Sequence, residues 1–253
     1  MPRNCNASTR CTKVPAHEFS APRALIHLAP IWVLPGILNR ILGLGVRTVV
    51  AVGSSSVETK RDSDNAGDLS VAQKIFEAEE KLTAATADRD VSLVVLHPTM
   101  VYDENARDAN VGRLRRFARR FRFLPVVEPS EGLRQPLHAD DLAWISERAT
   151  HVTPGTSERV FVTGGETLSY RQMLENIAGA TSPAAKLLKV PTGPFRFLLD
   201  IAGKIPGGPE ISGAMLDRVN QDMTFSNERA QQLFEFAPRS FRLSSTSAGR
   251  VDD

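Results

Sequence analysis

Three short apolar runs, separated by stretches of helical periodicity, constrain this chain more than any other feature. Ala24-Leu25-Ile26-His27-Leu28-Ala29, Arg47–Val52 and Val91–Leu96 are each too short for a core helix. The second and third are rich in valine, as strands buried on both faces are. Between the first two, residues 33–43 place Val33, Ile37, Leu38 and Ile41 on one side of a helix that Gly43 and Gly45 end. Over 69–87, Val71, Ile75, Ala78, Leu82 and Ala85 recur at spacings of four, three, four and three, one face of a 3.6-residue period. The polar stretch Ser54–Gly67 reads as a loop, and Pro98 ends the third strand. Strand, helix, strand, helix, strand with apolar strands predicts an α/β fold of the doubly wound type, its parallel sheet joined by right-handed crossovers.

The rest of the chain is less regular. Residues 110–122 form a helix with Val111, Leu114, Phe117, Ala118 and Phe121 inward and a dense arginine face outward. Phe123–Val127 is extended, Asp140–Ala149 helical and Arg159–Thr163 a strand. Ser169 and Gln172 make a capping box for a helix running to about Ala180. Shorter helices follow near 193–203, 211–220 and 226–234, interrupted by Pro206, Gly207, Gly208 and Pro209. This divides the chain into four parts. Residues 1–22 are a poorly ordered leader and 23–165 a sheet domain; 166–243 form a smaller, mostly helical lobe interleaved with it, and 244–253 a frayed tail.

Charge and cysteine content narrow the function classes. Lys+Arg number 31 against 29 Asp+Glu, which argues against a generally basic nucleic-acid binder and against an acidic disordered chain. The longest apolar stretches are broken by Pro30, Pro35, Asn39 and Arg40, and none reaches the roughly 20 residues that span a bilayer. The amino-terminal residues MPRNCNASTRCTK lack the apolar core of a secretory signal, so a cytoplasmic location is expected. Cys5 and Cys11 both lie in the leader without further ligands at metal spacing, which predicts neither a disulfide framework nor a metal site.

Six local motifs then coincide in order over about 23–241. His27-Leu28-Ala29 resembles the HLA that closes the fourth strand of extended short-chain dehydrogenases, and Val49–Ser56 (VVAVGSSS) resembles the next strand and its serine-rich tip. Lys74 with Glu79-Glu80 resembles the helix carrying Tyr-x-x-x-Lys. Leu96–Tyr102 (LHPTMVY) is similar to LRPxxVYG, Arg134–Ala143 (RQPLHADDLA) to RxxxHVxDLA, and Phe161–Tyr170 to FNVGGGExxSY. Together they resemble the NAD-dependent epimerase/dehydratase family.

That resemblance implies NAD(P)-linked oxidation, reduction or epimerisation of a nucleotide sugar or a similar carbonyl or alcohol. It implies Ser55 (Ser54 or Ser56 if the loop shifts by one), Ser70 and Lys74 as the catalytic positions. Ala29, Lys74, Pro98, Thr99 and Met100 fall at the cofactor, NAD or NADP, and Arg134 at substrate phosphates. In the family's chemistry an ammonium one helical turn from a tyrosine favours its phenolate, a serine holds the reacting oxygen, and the nicotinamide exchanges hydride.

This chain departs from the pattern twice. The position four before Lys74 is Ser70, not tyrosine. Tyr102, in the post-strand loop, and Tyr170, in a distant helix, lack the spacing to substitute. No Gly-x-Gly-x-x-Gly turn follows a strand either; Gly43-Leu44-Gly45 precedes one, and Gly164-Gly165 lacks the third glycine. With a strand order of 3-2-1-4-5-6, the chain corresponds to the family's last three-quarters, an amino-terminally shortened form. Its strand 24–29 would then be an apolar sheet edge. Pairing with a second copy, aggregation, or a mis-started reading frame each follow from that.

Other features carry simpler readings beside functional ones. His27 reads as a core-edge histidine, and His138 with Asp140 and Asp141 as the start of a helix. Residues 107–122 hold seven arginines (107, 113, 115, 116, 119, 120 and 122) and one acid, Asp108. They form either a solvated face or a surface for phosphates, including those of RNA. The alternative to an enzyme is therefore a non-catalytic binding or interaction scaffold that keeps the fold and this arginine surface.

Overall fold

The computed structural model describes residues 3–4, 12–13, 23–104, 108, 110–191, 193 and 218–244. Strand β1 (Ala24–His27) leads through a 3-10 turn, Ile31–Val33, into helix α1 (Leu34–Leu42). Pro35 lies in the first turn of α1, where a missing N–H costs nothing. Strand β2 (Thr48–Val52), a helical turn α2 (Ser56–Thr59), the long helix α3 (Ala66–Thr86) and strand β3 (Ser92–Pro98) follow. Asn65 caps α3, its side chain accepting from Asp68 N at 3.0 Å.

The second half adds β4 (Val101–Tyr102), α4 (Val111–Phe121), β5 (Phe123–Val127), β6 (Leu133–Arg134) and β7 (Leu137–His138). Helix α5 (Ala139–Arg148) runs into a 3-10 turn, Ala149–His151, and is followed by β8 (Ser157–Val162). Then come β9 (Leu168–Ser169), α6 (Tyr170–Gly179), β10 (Lys186–Val190) and α7 (Glu228–Phe234). The expected capping box is present at the start of α6: Gln172 N donates to Ser169 Oγ, and Ser169 N to Gln172 Oε1.

The main sheet has the order β8-β3-β2-β1 and is parallel throughout. Alternation along each strand sorts the core into two layers. Val49, Ala51, Leu93 and Val95 pack against Leu34 and Leu38 of α1 and Ile75, Ala78 and Leu82 of α3. Val50, Val94, Leu96, Val160 and Val162 pack on the opposite face against Ile145 of α5 and Ala230 and Phe234 of α7. A third cluster joins α4, β5 and α6 through Ala118, Leu124, Val126, Met173 and Ile177.

Several local expectations change. The polar loop over 54–67 contains α2, because Ser54 Oγ accepts from Ser56 N at 3.1 Å and Val57 is buried in the first core layer. Strand β10, absent from the sequence reading, pairs in parallel with β5. On α4, Arg115 turns inward: its guanidinium donates to the carbonyls of Glu104 and Ser244. Phe121, expected inside, is 52% exposed and rests on Phe117 at 4.6 Å. The left-handed Arg122 that follows turns the chain into β5 and leaves the last turn of α4 at the surface.

The leader apart from the antiparallel pair Arg3–Asn4 with Thr12–Lys13 lies outside the described residues. So do Cys5, Cys11, Arg107, nearly all of 193–203, most of 211–220, and the tail beyond Ser244. Among the described residues no helix is long and apolar enough to cross a membrane.

Candidate active site at the carboxyl ends of the strands

Open parallel sheets bind ligands beyond the carboxyl ends of their strands. Here those ends are built by Leu28-Ala29 after β1, Gly53–Ser56 after β2 and Thr99-Met100 after β3. Gly53 N donates to Leu96 O at 2.8 Å and Ser55 N to Pro98 O at 3.1 Å, so the serine tip is tied across to the end of β3. Pro98–Met100 is held in turn from the other side. Thr99 N donates to Val162 O at 3.0 Å, Thr99 Oγ1 to Gln135 O at 2.5 Å, and Leu137 N to Met100 O at 2.9 Å. Ala29 is exposed and His27 buried, the latter with Nε2 3.4 Å from Pro30 O.

Ser70 and Lys74 stand one turn apart on α3, and both are exposed. At about 100° per residue Lys74 lies on the flank of α3 opposite Phe76, with Ser70 on the exposed side between Lys74 and Leu69. The two tyrosines are elsewhere. Tyr102 is buried in the third core, edge-on to His138 at 5.1 Å and to Phe241 at 4.8 Å. Tyr170 lies beneath the Arg134 guanidinium at 5.4 Å. Burial pushes both phenols above their ordinary range; for Tyr170 the Arg134 charge acts the other way, and the Arg242 N–H does so for Tyr102.

Arg134 is buried, and it donates to the carbonyls of Leu133 at 2.8 Å, Gln221 at 2.7 Å and Arg218 at 2.6 Å. Burial lowers its basicity. It thereby anchors the segment around 218–221 to β6. Arg218 and Gln221 line a small cleft of about 250 Å³ with Glu58, Asp62 and Asp64, beside the serine tip. At the start of α5, His138 Nδ1 accepts from Asp140 N at 3.1 Å, and Asp141 binds Arg239 at 2.9 Å. Both set the helix start, as the sequence suggests.

Among the described residues no glycine-rich strand-to-helix turn offers a pyrophosphate cradle. A Cβ on Gly164 would overlap the carbonyl of Pro136, and one on Gly165 that of Pro238. These glycines permit close chain packing. Among the described residues no group of three His, Cys, Asp or Glu side chains is placed to hold a metal ion.

Sequence reasoning missed one cluster. Glu79 is buried, with Oε1 2.7 Å from His97 Nε2 and Oε2 3.6 Å from Arg159 Nε. Its signal was present in the period of α3, since Ile75, Glu79, Leu82 and Thr86 follow spacings of four, three and four.

No family model matches the sequence, and no curated protein matches it significantly. Solved structures do. The UDP-N-acetylglucosamine 4-epimerase from Bacillus cereus aligns at TM-score 0.62 and 15% identity, over 85% of this chain and 72% of its own. The UDP-glucuronic acid 4-epimerase from Bacillus cereus, solved in complex with NAD, aligns at 0.59 and 16%, over 85% and 69%. The Helicobacter pylori ADP-L-glycero-D-manno-heptose-6-epimerase aligns at 0.59 and 13%, over 89% and 70%. The six motifs, the parallel order of β1, β2, β3 and β8, and these alignments converge: the chain has the fold of the NAD-dependent epimerase/dehydratase family.

Proposed function

We propose that this protein is an NAD(P)-dependent oxidoreductase of the epimerase type, acting on a nucleotide sugar or a related carbonyl or alcohol. The reading rests on one juxtaposition. The serine tip after β2 is bonded to the turn after β3 through Ser55 N and Pro98 O, while Lys74 stands on an open flank of α3. The similar solved structures include UDP-sugar and ADP-heptose epimerases, one of them in complex with NAD, which supports the ligand class.

In this reading the nicotinamide supplies the hydride chemistry. The Ser55 hydroxyl, or that of Ser54 or Ser56, would hold the reacting oxygen, and Lys74 would supply a charged donor from α3. Ser70, one turn before Lys74, contributes a hydroxyl that is a far weaker acid than a phenol and orients a water or an alcohol. Ala29 and the backbone of Pro98, Thr99 and Met100 flank the cofactor. Arg134, its guanidinium committed to three carbonyls, positions the chain around 218–221 beside this site.

Titration of the folded protein with NADH and with NADPH, followed by cofactor fluorescence, tests the reading. Saturable binding in the micromolar range supports it. A folded protein that binds neither cofactor overturns it and leaves the scaffold alternative. Where cofactor binds, Ser70→Tyr is expected to raise NAD-linked turnover of a UDP-sugar at least about tenfold, since a phenol near Lys74 restores a proton-transfer group.

We further infer that β1 receives a second copy of this chain along its open edge. Among the described residues β1 has a hydrogen-bonded neighbour on one side only. Ile26 is 39% and Leu28 70% exposed there, with Trp32, Val33 and Ile37 exposed just after. An apolar, uncharged edge of this kind favours strand pairing.

A further inference from the structure

The buried Glu79–His97 pair forms part of the lining of a cavity of about 450 Å³ between α2, α3 and the ends of β3 and β8. This space adjoins the strand tips at Val57 and His97, and Leu69, Ala72 and Phe76 face it from the flank of α3 opposite Lys74. Its walls are mostly apolar. Leu69 and Phe76, at 44% and 49% exposure, are large hydrophobic side chains left facing solvent at its mouth.

The opposite wall is built from packed rings. Phe161 of β8 stacks on Phe225 at 4.3 Å with the rings within 7° of parallel, and lies 5.1 Å from the His97 ring. Gly53 makes room for His97, since a Cβ there would stand 3.2 Å from His97 Cδ2. His97 commits Nε2 to Glu79, and its buried Nδ1 has no hydrogen-bond partner. A buried polar atom left in this way is costly.

The charges around the cavity select the ligand. Glu79 is met by His97 and Arg159, Arg159 also donates to Glu80 at 2.6 Å, and Arg61 pairs with Glu58 at 3.5 Å. Each cation around the cavity therefore already faces a carboxylate, and each carboxylate a cation. A phosphate, a carboxylate or an ammonium would compete with these pairs for the same groups. We propose that the cavity binds an uncharged planar aromatic molecule, seated between Phe76 and Phe161 with a hydrogen-bonding edge toward His97. Its volume suits a one- or two-ring compound, and the two phenyl rings in its lining favour offset or edge-to-face contact with such a ligand.

Indole is the probe, and isothermal titration calorimetry of the full chain the measurement. Saturable binding is expected, with benzoate at least about tenfold weaker because its charge must be desolvated beside paired ions. Leu69→Arg places a long side chain across the mouth from an exposed helix position, so the fold survives, which circular dichroism checks. That variant is expected to lose indole binding, and Phe76→Ala to weaken it severalfold. No saturable binding to the parent overturns the proposal. So does undiminished binding in folded Leu69→Arg, or benzoate binding as tightly as indole. Indole binding and its loss in Leu69→Arg are read with no cofactor present, so their outcome is distinguishable from that of the NADH and NADPH titrations.

Discussion

Glu79 Oε1 and His97 Nε2 stand 2.7 Å apart, joining α3 to β3 where both side chains are shut off from solvent. Removing one member strands the other. Glu79→Ala is therefore expected to destabilise the fold by about 3 kcal/mol or more, read from urea unfolding. Glu79→Leu with His97→Leu together are expected to cost less than the sum of the single changes, because the double variant leaves no buried orphan. Additive costs would show that the pair does not act as a unit.

Arg134 ties β6 to the chain around 218–221 through three carbonyls. Arg134→Ala leaves those acceptors without their charged donor, at an expected cost of about 2–3 kcal/mol. Trypsin should then cleave after Arg218 faster, with the fragments identified by mass. Arg134→Lys is expected to recover little, since an ammonium lacks the planar fork that reaches several carbonyls at once. Unchanged cleavage after Arg218 would remove the anchoring role.

Both tyrosines of the chain have phenols raised above the ordinary value of 10.0, with burial the leading cause in each. The unfolded chain then releases these protons at a lower pH than the folded one. Their contribution to stability is whole below pH about 10 and declines as pH rises through the folded values. In an alkaline titration, tyrosinate absorbance should appear together with loss of the helical circular-dichroism signal. Tyrosinate at the ordinary pH in a fully folded protein would contradict this.

The edge of β1 makes a prediction about assembly. Ile26→Lys with Leu28→Lys adds charge to a strand whose outer side is open among the described residues. Sedimentation is expected to show a dimer for the parent and a monomer for the double variant. A parent that sediments as a monomer at tens of micromolar would dismiss strand pairing between copies.

Much of this protein was legible without coordinates. The valine-rich runs at 47–52 and 91–96, the four-three spacing of α3 and the Ser169–Gln172 box are short-range patterns, and each forms where its residues call for it. A local pattern suffices when the element is long enough, or its cap close enough, to be stabilised by its own neighbours in sequence. The alternation of strands and helices determined the fold class, and the motif order the strand-tip positions of Ser55 and Pro98.

Tertiary structure decided the rest. The period of α4 sets Arg115 on the face of Val111 and Ala118, but the carbonyls of Glu104 and the distant Ser244 that hold it there are supplied only by the fold. Arg134 finds its partners some eighty residues away, and β10 becomes a strand because β5 presents an edge to it. The cavity exists only because Glu79, His97 and Phe161, from one helix and two strands, are brought together by packing. Sequence spacing determines which side of its own element a residue occupies. What that side meets depends on contacts across the chain, and those set the burial, charge pairing and hydrogen bonding from which a site is made.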